Sequence, residues 1–282
     1  MKRLAIVALL GGAIAVGGTN AQAQEGTGQL TLVHAATFDA GNPFPVTVCL
    51  DDALVDGDFQ VGERIVTDLP AGTYTADIYV GAGVFDGPEC AGSVVETSAI
   101  EPALSGPITI VAGEPQTVVA AWNNDGPNVL AFETDTSCAP EGSANVSAVH
   151  AATAGTVDIW AGPAGGELAP FAPGFAEGEL AGPVSIPEGD YDIAVFPEGA
   201  DPTGTPAIAV DGLAIAAGTS VTIYAIGGND GALGAFALVD EAPTCPPTET
   251  TVPVEPTEPQ PEAENAEATP AAPVPGQANF TG

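Results

Sequence analysis

Two histidines are the only side chains of this sequence whose unperturbed titration falls near neutral pH, and they occur in the same context. Val33-His34-Ala35-Ala36-Thr37 returns as Val149-His150-Ala151-Ala152-Thr153. An imidazole can be a ligand, an acid or a base, but it can equally use both ring nitrogens to hold a loop. At the end of an apolar run, the loop-holding role is the expectation for both. Asp158 follows His150 closely and is a candidate partner for it. The position matching Asp158 in the first copy is Thr47, so a His-Asp pair can exist only in the second.

The densest group of carboxylates is Asp51, Asp52, Asp56 and Asp58, in a segment that ends near Glu63. Calcium takes about six to eight oxygens converging on one point, and its helical loop motif closes with a bidentate Glu twelve residues from the start. That closing residue is absent here, so a solvated loop is expected, with these four aspartates as the calcium candidates. No other metal and no cofactor is implied. Catalysis has little to build on: no Gly-x-Ser-x-Gly elbow, no His-Glu-x-x-His, no phosphate-binding glycine loop, and no lysine after Lys2. Paired carboxylates could hydrolyse glycosides, which keeps a hydrolase as the third-ranked reading.

Charge narrows the partners. The chain holds 37 acidic and 3 basic side chains. Lys2 and Arg3 precede an apolar run from Leu4 to Val16 and a small-residue site ending at Ala23, the layout of a secretory signal peptide over residues 1–23. Its removal leaves Arg64 as the sole basic side chain. Such a field repels phosphate, so neither nucleic acid nor an anionic lipid surface is an expected partner. The apolar run is also shorter than the about 20 residues that span a bilayer, so no membrane insertion is expected once the signal is removed.

Four cysteines in an exported chain predict disulfides rather than redox or metal chemistry, and none is spaced Cys-x-x-Cys. Cys49 and Cys90 both belong to the first copy alone, which predicts that they pair. Cys138 and Cys245 sit at equivalent ends of the two copies. Bridging them requires those ends to come within about 7 Å; the alternative is free or intermolecular thiols.

The elements that would position these residues repeat in order. Leu69-Pro70-Ala71-Gly72-Thr73-Tyr74 matches Ile186-Pro187-Glu188-Gly189-Asp190-Tyr191, and Asn124-Asp125-Gly126 matches Asn229-Asp230-Gly231. Two tandem domains follow, 27–138 and 144–242. Short runs such as Val46–Leu50, Tyr74–Val80, Val157–Trp160 and Ser220–Tyr224 are rich in β-branched and aromatic residues and broken by Gly, Pro, Asn and Asp. About seven such strands per copy predict an all-β fold: two immunoglobulin-like or transthyretin-like sandwiches. Trp122, Trp160, Tyr74 and Tyr191 lie within strand patterns and are expected to pack on sheets. Residues 243–282 hold ten Pro and six Glu. They read as a disordered tether reaching about 120 Å if fully extended in the polyproline manner.

The first copy carries two insertions. His34 to Val46 spans 12 positions against 7 from His150 to Val157, and Tyr74 to Gly113 spans 39 against 27 from Tyr191 to Gly218. The second insertion holds Cys90.

The Val-His-Ala opening, the Val157-Asp158-Ile159-Trp160 strand and the Pro-x-Gly-x-Tyr step together resemble the bacterial domain-of-unknown-function family 4397, in two tandem copies. Val149, His150, Ala151, Val157, Asp158 and Ile159 match its pattern in the second copy. Ala152 and Thr153 replace the usual Ser-Pro, and the first copy lacks the Asp. The resemblance implies an exported or surface-exposed β-sandwich with no established reaction.

The sequence is therefore expected to encode an exported, noncatalytic module, extracellular or on the cell surface, that binds or spaces an extracellular ligand or surface polymer. The alternative is a calcium-dependent or polysaccharide-binding adhesion module.

Overall fold

The computed structural model describes residues 26–243, except 38–39, 41, 86–89, 91–100, 124–125 and 229–231, together with Cys245. The expected signal peptide at 1–23, nearly all of the 243–282 tail and most of both Asn-Asp-Gly turns lie outside the described residues.

Sixteen strands and no helix make up the described chain. The first eight are β1 (Thr27–His34), β2 (Val46–Leu50), β3 (Ala53–Phe59), β4 (Arg64–Pro70), β5 (Gly72–Val80), β6 (Leu104–Ile110), β7 (Gln116–Asn123) and β8 (Gly126–Glu133). The second eight are β9 (Ser143–His150), β10 (Val157–Pro163), β11 (Ala169–Phe175), β12 (Leu180–Pro187), β13 (Gly189–Pro197), β14 (Ile208–Ile215), β15 (Thr219–Gly227) and β16 (Leu233–Glu241). Their sheet orders are β4-β1-β7-β8 and β3-β2-β5-β6, then β12-β9-β15-β16 and β11-β10-β13-β14. The two halves repeat one topology, strand for strand.

Each half has eight strands where about seven were expected. The strands least visible in the sequence are edge strands. β11 contains two prolines and a glycine, and β12 carries a register shift between Ala181 and Val184, around Gly182-Pro183. Proline and glycine are tolerated at an edge because one row of ladder bonds is missing there anyway. Of the two sandwich types expected, the transthyretin-like one fits. The first strand pairs antiparallel with the fourth and parallel with the seventh, and the strands divide four and four. An immunoglobulin constant domain divides seven strands four and three.

Each sandwich has its own core. Leu30, Leu32, Val46, Val48, Phe59 and Ile110 fill the first. In the second, Ala148, Val157, Ile159, Phe175 and Val195 meet between the sheets, with Val146 and Val221 towards one end. A third core lies between the sandwiches. Val33, Ala35, Val119 and Ala121 from β1, β7 and the residue after β1 pack with Val149, Ala151, Tyr224 and Ile226. Along these segments Leu30, Leu32, Val146 and Ala148 serve their own sandwich, while Val33, Ala35, Val149 and Ala151 turn to the neighbour; Thr27 and Gln29, at the start of β1, are exposed. This explains why Leu30–Ala36 and Val146–Ala152 read as nearly continuous apolar runs: strands buried on both faces lose the polar alternation.

The contacts across this third core are reciprocal. Gly62 backs onto the ring of Phe236, where a Cβ would stand 3.7 Å from it, and the equivalent Gly178 backs onto Leu130, where a Cβ would stand 3.3 Å away. Such reciprocity is the mark of an isologous interface, here made within one chain. Arg64 on β4 reinforces the seam by pairing with Asp240 and donating to the carbonyl of Val239 on β16. The described residues accordingly fall within one compact unit.

Tyr224 sits at the centre of the seam, 3% exposed and stacked on Phe236 at 4.9 Å. Tyr224→Ala should cost about 3–5 kcal/mol, the range for emptying a buried aromatic position. Urea denaturation measures that loss. Hydrogen exchange should show faster amides in β1 and β7 as well as in β9 and β15; protection lost from the second half alone would contradict a shared core.

Candidate functional site

The two histidines end their strands in matching surroundings. His34 is fully buried, with Nδ1 facing the carbonyl of Phe59 at 2.9 Å and Nε2 facing that of Ala36 at 3.1 Å. His150 is 1% exposed and places Nε2 2.8 Å from the carbonyl of Gly155, while its Nδ1 is buried without a partner. Since a carbonyl can only accept, Nε2 of His150 carries the proton and Nδ1 presents a bare lone pair.

Both rings lean on a loop that the sequence repeats with identical spacing, Phe59-Gln60-Val61-Gly62-Glu63 and Phe175-Ala176-Glu177-Gly178-Glu179. The histidine backbone N–H donates to the Glu63 or Glu179 carbonyl, and the histidine carbonyl accepts from Gly62 or Gly178. The glutamate then turns back: Glu63 accepts the Gln60 N–H at 2.8 Å, and Glu179 accepts the Ala176 N–H at 2.9 Å. The phenyl ring tilts against the imidazole at centroid separations of 5.6 and 5.7 Å. These loops carry the glycines that touch the opposite sandwich. The Phe-x-x-Gly-Glu spacing is the sequence signal of this loop, beside the Val-His-Ala repeat.

Asp158 is not a partner of His150. Its two oxygens accept the N–H groups of Gly174 at 2.7 Å and Gly199 at 2.8 Å, tying β11 and the segment after β13 to β10. Strand alternation causes this, since His150 ends a strand of the inner sheet while Asp158 lies on the outer face of the other one. Thr47 occupies the same place in the first sandwich and braces it with the opposite polarity, its hydroxyl lying 3.1 Å from the Gly57 carbonyl and 2.9 Å from that of Gly81. Asp192, which sequence reasoning missed, accepts from Gly165 and Gly212 in the same manner. Paired backbone N–H donors hold the carboxyls of Asp158 and Asp192 below the ordinary aspartate range. The Pro-x-Gly-x-Tyr repeat is also a brace. Tyr74 and Tyr191 each donate a phenolic proton over 2.9 Å to the carbonyl four residues upstream, Pro70 and Pro187, as a tyrosine corner does.

The four acidic candidates fall in two places. Asp51 and Asp52, with φ of 44° and 64°, form the tight turn between β2 and β3, and Asp51 accepts the Thr75 N–H at 2.7 Å. Asp56 and Asp58 lie further along β3, where Asp56 accepts the Asp58 N–H and Asp58 accepts from the Gln60 amide. Among the described residues no three His, Cys, Asp or Glu side chains gather as a metal cage would.

Both disulfides are formed. Cys49–Cys90 has a Cα separation of 6.2 Å, and around it Tyr79, Leu54, Val84 and Phe85 make a small core on the outer face of the first sandwich. Cys138–Cys245 has a Cα separation of 4.8 Å and joins the link between the sandwiches to the end of the second.

Two cavities stand out among the described residues. One, about 30 Å³ and wholly apolar, lies within the second sandwich, where Ala148 and Ala235 stand in place of Leu32 and Val129. The other, about 150 Å³, opens at the end of the seam between Trp122, Asn128 and Leu130 on one side and His150, Glu177 and Gly178 on the other. One oxygen of Glu177 is already committed to the Gly155 N–H.

Residues 153–259 match a family model, Domain of unknown function (DUF4397). That span covers most of the second sandwich, including the Asp158 brace and the tyrosine corner, but not the first sandwich. No curated protein matches this chain. Among solved structures it is similar to the Bacillus anthracis TIE protein, with 11% identity over 61% of this chain and 29% of that one, at a TM-score of 0.19. It is also similar to the tip fimbrial protein Mfa3 from Porphyromonas gingivalis with a C-terminal truncation, with 8% identity over 77% and 99% of the two chains, at a TM-score of 0.22. The chain thus spans under a third of the Bacillus anthracis protein. At such scores the likeness carries no functional argument.

Burial lowers the pKa of both imidazoles below the ordinary 6.5; hydrogen bonds to carbonyls and the nearby Glu63, or Glu177 and Glu179, oppose it less strongly. The unfolded chain therefore takes up these protons first as the pH falls. Stability is full above pH 6.5 and drains as the pH drops towards the depressed folded values. Urea midpoints between pH 7.5 and 5 should fall less steeply in His150→Gln than in the wild type. Equal slopes would show that the imidazole is not the titrating group.

Proposed function

We propose that this chain is an exported, noncatalytic β-sandwich protein, an extracellular or cell-surface module that binds and spaces. The observation that carries the reading is the way polar side chains are used. His34, His150, Thr47, Asp158 and Asp192 are all engaged in holding backbone to backbone. Catalytic groups need a reacting atom within hydrogen-bond reach, in a cleft that a substrate can enter. Here the same residue types are spent on rigidity. Two disulfides fit an oxidising compartment, where such bridges persist. Among the described residues no helix is long and apolar enough to cross a membrane.

A body made rigid by a shared apolar seam, and carrying a large excess of acidic charge, is suited to presenting loops and sheet faces at a fixed separation. Proteolysis of intact producing cells, together with analysis of the medium, tests the reading. Peptides of this chain should be released from the surface or found in the medium, with both cysteine pairs oxidised by nonreducing mass spectrometry. Panels of glycoside, ester and peptide substrates should show no turnover by the purified protein. Recovery only after lysis with free thiols, or any saturable turnover, would overturn it.

A further inference from the structure

The duplication that relates the sandwiches also relates the two ends of the seam, yet one end is filled and the other is hollow. Strand register identifies the equivalents. Val119 and Leu130 correspond to Tyr224 and Phe236, and Ala121 and Asn128 correspond to Ile226 and Gly234. At the filled end Gly62 backs onto Phe236, and Ala40 lies against Gly227 and Gly234, where added Cβ atoms would stand 2.9 Å from its nitrogen and 2.7 Å from its Cβ. Ala40 also donates its N–H to the Ala232 carbonyl at 3.0 Å. It belongs to the longer of the two loops that follow the histidines, which takes 12 positions from His34 to Val46 against 7 from His150 to Val157.

At the hollow end smaller residues replace larger ones, Ala121 for Ile226 and Leu130 for Phe236. The result is the cavity of about 150 Å³ between Asn128 and Leu130 on one side and Glu177 and Gly178 on the other. Two of the exchanges also bring polarity. Glu177 stands where the first loop has Val61, and Asn128 stands where β16 has Gly234. Pairing with Ala121 puts Asn128 on the seam face of β8. One oxygen of Glu177 accepts the Gly155 N–H, and the other has no partner among the described residues. The Asn128 oxygen accepts the Val129 N–H, and its amide nitrogen donates to none of them. His150, on the wall of the same cavity, is kept neutral at neutral pH by its burial, so it places no positive charge there.

We propose that this cavity binds a small primary ammonium compound, whose ammonium group donates to the uncommitted oxygen of Glu177 and whose hydroxyl or carbonyl oxygen accepts from the Asn128 amide. The inference deepens the binding half of the function proposed above and rests on it. The wall of the cavity selects this class of ligand. A carboxylate repels anions and favours a cation with N–H donors, which forms the stronger, charge-assisted hydrogen bond. A metal ion is less suited, because among the described residues no three His, Cys, Asp or Glu side chains gather. The space equals that of several water molecules, which admits an amino alcohol or an amino amide and excludes a lipid chain or a polymer. The cation has to come from outside, since the sole basic side chain of the described residues, Arg64, is held elsewhere on the seam by Asp240.

Any cation is drawn to so acidic a protein, so this cavity must be separated from the general field. Ethanolamine hydrochloride is titrated into the isotope-labelled mature chain at neutral pH and a constant total salt of about 0.15 M, and backbone amide signals are followed by NMR. Tetramethylammonium chloride serves as a cation without N–H donors. Amides of Asn128, Ala151 and Gly178 should shift together and saturate with an affinity of about 1 mM, while those around Asp51 and Asp56, acidic but without a cavity, should not saturate. Ala121→Ile installs the side chain of the filled end without changing any charge and should abolish the saturable shift. Glu177→Gln retains an acceptor for the Gly155 N–H and should weaken binding by at least about tenfold; it decides the matter even where Ala121→Ile does not fold. Shifts that do not saturate, equal shifts with tetramethylammonium, or unchanged affinity in Glu177→Gln would show a cavity that holds water only and overturn the site. Such a failure leaves the exported, noncatalytic reading standing, since that is decided by surface recovery, thiol state and turnover.

Discussion

The architecture depends on the apolar seam in which Val33, Ala35, Val119 and Ala121 meet Val149, Ala151, Tyr224 and Ile226. A four-stranded sheet packed on one face only would expose the other to water, and an eight-stranded sandwich of about 100 residues has a modest core. Turning the second face of each inner sheet to its counterpart gives β1, β7, β9 and β15 burial on both sides. With a single basic side chain among the described residues, ion pairs cannot supply much cohesion, and apolar burial has to offset the repulsion of the carboxylates. Arg64 stands at the edge of this seam, where its positive charge meets Val239 and Asp240 on β16 of the other sandwich.

Around the seam, polar residues take up backbone groups that the irregular strands leave unpaired. Each histidine fixes the turn that delivers Gly62 or Gly178 to the opposite sandwich. Each tyrosine corner fixes the passage from one sheet to the other, and Asp158 and Asp192 gather the glycine-rich ends of the outer sheet. The copies use different residues for one task, as the pairing of Thr47 with Asp158 shows. Duplicated positions have kept the geometry of the brace while exchanging donor for acceptor.

Much of this was legible in the sequence. The repeated Val-His-Ala-Ala-Thr, the Pro-x-Gly-x-Tyr steps and the insertion around Cys90 together disclose two β-domains of unequal decoration and the Cys49–Cys90 pairing, whereas the Cys138–Cys245 pairing waited on how closely the two ends approach. Edge strands such as β11 and β12 were harder to see, because Pro and Gly carry no strand signature there and only the ladder reveals them. The seam was hidden for another reason: a strand buried on both faces differs from one buried on a single face only by its odd-numbered apolar residues, which Ala35 and Ala151 signal faintly. Asp158 stood as a candidate partner of His150 because nearness along the chain does not show which sheet face a residue occupies.

The Cys138–Cys245 bridge gives the molecule a distinct mechanical layout. A pull applied to the chain beyond Cys245 passes through the sulfur pair to Cys138 and on to the first sandwich, so the 107 residues of separation between the two cysteines are bypassed. The second sandwich hangs beside the line of tension. Its strands keep their register under loads that would unravel a domain threaded in series, and the first sandwich takes the strain through the end of β8.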